Sequence, residues 1–173
     1  MIVKQVVGVD SDTESSIRAL LDLAYEGDFT DEDWAHTFGG QYFIGFLGGA
    51  IMAHGSVVPR NMFIDGKSVT TGYVEAIAVS PTHWRQGFGT QLMTQVTVFC
   101  QDHYELSMLS TDENHFYERI GWLQFLGESF TRNGDYEVRT AEEDEGLMFL
   151  PGKKSDITQI RRAVCDARRG DAW

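Results

Sequence analysis

Apolar positions at the start of the chain, Ile2, Val3, Val6, Val7 and Val9, read as a strand from Ile2 to Val9, and Ser11-x-x-Glu14 after them has the spacing of a helix capping box. Ile17, Leu20, Leu21, Ala24 and Tyr25 then recur at three and four residues, so they share one helical face, and Gly27 ends that helix. Thr30-x-x-Asp33 marks a second helix start, with acids in the first turn where the helix dipole favours them. Gln41 to Leu47 and Ala50 to Pro59 flank Gly48-Gly49 as a hairpin. A second turn at Asp65-Gly66 leads into a long strand, Ser68 to Val79.

Helical spacing returns at Phe88, Leu92, Val96 and Phe99, which predicts an amphipathic helix over Thr90 to Cys100. Glu105 to Ser110 is the next strand, and Ser110-x-x-Glu113 caps a short helix that carries Phe116, Tyr117 and Ile120 and stops at Gly121. Trp122 to Leu126 and Glu145 to Leu150 read as strands around a polar linker, Gly127 to Arg139. The tail from Asp156 to Trp173 places Ile157, Ile160 and Val164 near helical spacing. The order β-α-α-β-β-β-α-β-α-β-β implies an α/β chain of the α+β kind, a mixed central sheet with helices on both faces, and it does not fit a doubly wound sheet. At 173 residues with 42% apolar content, one domain over residues 1–173 is expected.

Charge narrows the function. Twenty-six acidic residues against 14 basic ones give a net charge of −12, a field that repels phosphate backbones and anionic lipid, so neither nucleic acid nor membrane is an expected partner. The start of the chain lacks the layout of a secretion signal, and a cytoplasmic location is expected. Two cysteines, Cys100 and Cys165, form no disulfide framework and read as packing residues. His36, His54, His83, His103 and His115 show no ligand spacing, so no metal is expected. The acids gather at Asp28, Asp31, Glu32 and Asp33, again at Glu142 to Glu145, and at Asp171. Such blocks are most often solvated surface; the functional alternative is a cleft for a cationic ligand.

The densest chemistry lies from Gly72 to Gly89. A β-branched run stops at Pro81, crosses a short loop and re-emerges at Gly87-Phe88-Gly89 as a helix start, where unpaired backbone N–H groups bind anionic phosphate. Glu75 is the one carboxylate on that strand, among Tyr73, Ile77 and Val79. A phosphate cradle beside a lone acid on an apolar strand suggests a cofactor-dependent enzyme.

The strand ending Ile77-Ala78-Val79-Ser80-Pro81, the loop to Gly87-Phe88-Gly89, and Asn114-x-Phe116-Tyr117-Glu118-Arg119-Ile120-Gly121-Trp122 together resemble the GNAT N-acetyltransferases. A narrower resemblance lies outside that cofactor motif. Gly27-Asp28-Phe29-Thr30 with Asp33, His36-Thr37-x-Gly39-Gly40, Gly72-Tyr73-Val74-Glu75, and Cys165-Asp166 through Arg169-Gly170-Asp171-Ala172-Trp173 resemble the aminoglycoside 2'-N-acetyltransferases over nearly the whole length. The resemblance implies acetyl-CoA as co-substrate, with Ile77 and Val79 pairing with its pantetheine arm and Arg85, Gln86, Gly87, Phe88, Gly89 and Thr90 at its phosphates. The chain departs from the usual loop by carrying Trp84 where a Gln or Arg is customary, with Arg85 one place later.

Acyl transfer from a thioester to an amine needs a base for the amine and an acid for the leaving thiolate. Glu75 is the candidate base, its carboxylate desolvated on an apolar strand, and Tyr117 the candidate acid; a backbone N–H near Ile77 would hold the carbonyl oxygen. By resemblance, Asp28, Asp33, Asp144, Glu145 and Asp171 would bind the amines and hydroxyls of a cationic aminoglycoside, with Trp173 adding a terminal carboxylate. The related kasugamycin-acetylating branch, a polyamine or protein N-acetyltransferase, and a non-enzymatic acetyl-CoA sensor are the alternatives. A homodimer is expected by analogy with other GNAT enzymes.

Overall fold

The computed structural model describes all 173 residues, and it divides into two compact units, Met1–Val58 with Val74–Val98, and Pro59–Tyr73 with Phe99–Trp173. Two long strands, β3 (Ala50–Ile64) and β4 (Lys67–Val79), run through both. The ten strands are hydrogen-bonded into one mixed sheet with mostly antiparallel pairs, as the element order predicted.

In the first unit, β1 (Ile2–Val6) pairs antiparallel with β2 (Gln41–Leu47), and β2 with β3 across the Gly48-Gly49 turn. Helix α1 (Ser11–Ala24) is capped one residue earlier than its sequence suggested: Asp10, not Ser11, accepts the Thr13 N–H at 2.8 Å. Its apolar face buries Ile17 and Leu21 against Tyr42, Ile44 and Ala78. Truncating Leu21 to Ala at this packed surface costs about 2–5 kcal/mol. Helix α2 (Asp31–His36) has the expected box, in which the Thr30 hydroxyl accepts from Asp33 N–H and the Asp33 carboxylate accepts from Thr30 N–H.

In the second unit, Thr71, Gly72 and Tyr73 of β4 pair in parallel with β5 (Leu106–Ser110), and β5 pairs antiparallel with β9 (Leu147–Pro151), which also carries the two-residue β6 (Leu123–Gln124). Two departures from the sequence reading occur here. The polar stretch from Gly127 to Arg139 is no linker: β7 (Glu128–Asn133) and β8 (Tyr136–Arg139) form an antiparallel hairpin with Gly134 at φ +62°. The tail, whose form its spacing left open, is extended: β10 (Arg162–Asp166) inserts between β3 and β7 and buries Ala163, Val164 and Cys165 in succession. A strand covered on both faces needs no alternation. The Ser110-x-x-Glu113 box does not form either; Glu113 caps α4 (Asn114–Glu118) without a side-chain bond, and its own N–H goes to the Thr111 hydroxyl at 2.9 Å.

Helix α3 (Phe88–His103) runs longer than the predicted Thr90 to Cys100 and buries Leu92, Met93, Val96 and Cys100. Cys100 and Cys165 are free and buried, and burial raises both thiols, Cys100 to about 12, which leaves them inert as nucleophiles at neutral pH. No helix is long and apolar enough to cross a membrane.

Candidate functional site

The first unit holds Glu75 and every residue from Ile77 to Thr90 named for the co-substrate. The extended geometry of β4 is broken at one residue inside the strand: Ala76 adopts φ +51°, a left-handed conformation rare for a residue with a Cβ. Glu75, Ala76 and Ile77 are all half-buried around this break. The carbonyls beyond it are occupied. Ala76 O accepts from His54 Nδ1 at 2.9 Å, Ile77 O from the Tyr25 hydroxyl at 3.1 Å, and Val79 O from the Trp84 indole at 2.8 Å. An extended arm laid along β4 therefore meets these donors at two of the carbonyls it would use.

Tyr25 also reports the local field. Crowding around its hydroxyl, and then the carboxylates of Glu75 and Asp33, push its pKa up to about 12, so the three side chains share one negatively charged neighbourhood. Asp33 is half-buried and already engaged as the α2 cap, while Asp28 is exposed on the turn after α1, its N–H bonded to Tyr25 O at 2.9 Å.

After β4 the chain makes a single 3-10 turn, Pro81–His83, and reaches α3 through Arg85 at φ +60° and Gly87 at φ +82°. A Cβ built on Gly87 meets nothing within 4 Å, so glycine is required there by backbone conformation and not by space. The exposed side chains of Arg85 and Gln86 flank this approach, Phe88 stacks on His83 with ring centroids 5.7 Å apart, and the first-turn N–H groups of α3 have no partners within their own helix. This donor set suits a diphosphate: outward amides at a 16-residue helix start, one guanidinium, and no carboxylate among residues 80–90.

The second unit holds Tyr117, Asp144, Glu145, Asp171 and Trp173. Tyr117 is buried in α4, edge-on to Phe116 at 5.0 Å and to Trp122 at 6.3 Å. The same unit contains a cavity of about 570 Å³ lined by Ser110, Thr111, Asp112, Asn114, Gln124, Glu142, Glu143, Glu145 and Gly146. Four of its nine lining residues are acidic and none is basic. Burial first, and then the neighbouring carboxylates of Asp171 and Glu142, raise the Glu143 carboxyl above its ordinary range.

The acids of this unit divide by task. Glu145 lines the cavity, and Asp171 acts electrostatically on Glu143. Asp144 instead accepts from Ser129 N–H and Oγ and is ion-paired with Arg139; partial burial opposes ionisation, but these bonds outweigh it and hold the carboxyl below the usual range. Trp173 is a core residue, 4% exposed, with its indole N–H on Thr140 Oγ1 at 3.0 Å and its backbone N–H on Asp171 Oδ1 at 3.0 Å. Asp112, Glu142 and Glu143 were not among the candidates from sequence; the run of four acids signalled the region without telling which members face the cavity. No group of three or more His, Cys, Asp or Glu side chains is arranged to hold a metal.

Comparison with known proteins gives a consistent picture. Residues 12–122 match the profile of the acetyltransferase (GNAT) family. The chain is 35% identical, over 95% of its own length and 87% of the other's, to an aminoglycoside 2'-N-acetyltransferase of Mycolicibacterium fortuitum. Its fold is similar to that of a GNAT family N-acetyltransferase from Escherichia coli solved with CoA, with a TM-score of 0.69 at 13% identity over 95% of this chain and 88% of that one. It is also similar to a GNAT family acetyltransferase from Brucella melitensis solved with acetyl-CoA, with a TM-score of 0.60 at 14% identity over 92% and 93% of the two chains.

Proposed function

The chain belongs to the acetyltransferase (GNAT) family, and from that premise we propose that it transfers the acetyl group of acetyl-CoA to the 2'-amine of an aminoglycoside, a reaction that inactivates the drug. The observation that carries this reading is the 35% identity over nearly the full length to an aminoglycoside 2'-N-acetyltransferase. The acidic cavity of the second unit agrees with it in chemistry, because a sugar bearing several ammonium groups is held by carboxylates and by neutral acceptors such as Asn114 and Gln124.

Acetyl-CoA supplies an acetyl group activated as a thioester. In this proposal the α3 N-terminus and Arg85 bind its phosphates, and the backbone of Ile77 and Val79 pairs with the arm. Glu75, directly or through a water, takes the proton from the attacking amine. The Ile77 N–H holds the acetyl oxygen as negative charge develops there, and Tyr117 returns a proton to the departing sulfur.

Release of free thiol from acetyl-CoA tests the assignment, run with a kanamycin-type aminoglycoside, kasugamycin and spermidine as acceptors. Turnover with the multi-amine drug in preference to the other two is the expected outcome. Preference for kasugamycin or spermidine moves the chain to one of the other substrate classes, and thiol release with no acceptor at all removes the antibiotic assignment.

A further inference from the structure

The left-handed turn at Ala76 lies between the proposed base and the proposed oxyanion donor, and three consecutive residues of β3 are fitted to it. His54 is fully buried, and because a carbonyl can only accept, its bond to Ala76 O means that Nδ1 carries the proton. Nε2 then presents a lone pair to the interior, and it has no hydrogen-bond partner. The ring sits among Trp34 and Tyr42, with centroids 6.4 and 5.7 Å away, surroundings that an apolar side chain would suit better. What histidine adds there is the donor aimed at Ala76. Next along β3, Gly55 leaves room for the Ile77 side chain to pack over it, since a Cβ built there would lie 2.3 Å from Ile77 Cδ1 and would push that methyl aside. Ser56 follows, with its hydroxyl directed at Glu75 O at 3.4 Å.

We propose that His54, Gly55 and Ser56 form a template that holds Ala76 in its left-handed conformation and thereby aims the Glu75 carboxylate and the Ile77 N–H, with His54 as a positioning residue for acetyl transfer. A positive φ at a residue with a Cβ persists only where its surroundings over-determine it. Here the carbonyl is tied by His54, and the residues on either side are fitted by Ser56 and Gly55. The catalytic half of the inference rests on the acetyl-transfer reading; the template itself does not.

A double-mutant cycle separates the two. His54→Phe keeps the ring volume and removes the donor, Ala76→Gly supplies a residue that adopts positive φ without steric cost, and His54→Asn retains an N–H near the place of Nδ1. With the drug acceptor, His54→Phe is expected to lower kcat about 100-fold, as loss of an oriented donor does, and to move the acidic limb of the kcat/KM against pH profile that reports Glu75. Ala76→Gly in that background, or His54→Asn alone, recovers about tenfold or more and returns the limb. Unfolding free energies measured on the wild type, His54→Phe, Ala76→Gly and the double variant show the same coupling. Additive effects in both readouts, or a limb that does not move, overturn the proposal. A wild type inactive toward every acceptor, with coupling still present in unfolding, defeats the acetyl-transfer reading and leaves the template standing.

Discussion

The Tyr25 hydroxyl donates to the Ile77 carbonyl at 3.1 Å, tying the end of helix α1 to the part of β4 assigned to the pantetheine arm. The Trp84 indole covers the Val79 carbonyl in the same way at 2.8 Å. Both bonds satisfy acceptors that an extended arm also seeks, so arm and side chain compete. Tyr25→Phe frees Ile77 O and is expected to tighten CoA binding by about 2- to 10-fold, the range of one neutral hydrogen bond. Calorimetric titration with CoA checks this; weaker binding by the variant means that the tyrosine helps to hold the arm instead.

Glu75→Gln removes the proposed base at nearly constant shape. It is expected to lower kcat/KM by about 10²- to 10⁴-fold, the usual contribution of a positioned acid or base, while CoA affinity stays near that of the wild type. Steady-state thiol release and CoA titration on the same preparation give both numbers.

The cavity acids trade stability against binding. Glu143 has its carboxyl raised by burial first, then by Asp171 and Glu142, so the folded state keeps a proton that the unfolded chain has released. Stability therefore declines as pH rises from the ordinary 4.5 through the raised value, and Glu143→Gln is expected to melt higher than the wild type at pH 7. The same variant should raise KM for a multi-amine acceptor several-fold and leave KM for acetyl-CoA unchanged. The difference shrinks as added salt screens the acids, which a KM series across ionic strength follows.

His54 works with the opposite sign. Burial lowers its pKa from 6.5 to about 4, partly offset by its bond to Ala76 O, so the unfolded chain binds the proton more readily. The stability tied to a neutral His54 is fully present above pH 6.5 and is lost as pH falls from 6.5 toward 4. His54→Asn cannot titrate. Its unfolding free energy, measured by urea denaturation, is expected to fall less than that of the wild type across this window and to run parallel to it above 6.5.

Much of this arrangement was legible in the sequence, and the losses have physical causes. The Thr30 and Asp33 box, the Gly48-Gly49 turn and the strand, loop and helix from Ser68 to His103 follow from local propensity, which tertiary context here reinforces. The β7–β8 hairpin was lost because Tyr136 and Val138 point outward, 80% and 59% exposed, so burial imposes no alternation there. β10 was lost for the opposite reason, since burial on both faces erased the period of two and left Ile160 and Val164 at a misleading spacing of four. The turn at Ala76 had no signal at all: alanine does not announce a positive φ, and the residue that explains it, His54, lies on another strand. The resemblance gives Trp173 a terminal carboxylate at the acceptor, and its indole is a core side chain. Trp173→Ala should cost about 3–5 kcal/mol by urea denaturation, so Asp171→Asn is the better probe of the acceptor.

The central claim is that this chain moves an acetyl group from acetyl-CoA to one amine of an aminoglycoside. Incubating the purified protein with acetyl-CoA and a drug bearing a 2'-amine, then locating the new acetyl group by NMR of the isolated product, tests it most directly. A single acetyl on the 2' nitrogen, formed with one equivalent of free thiol, is the predicted result; an acetyl on another nitrogen, or unreacted drug beside intact thioester, contradicts it.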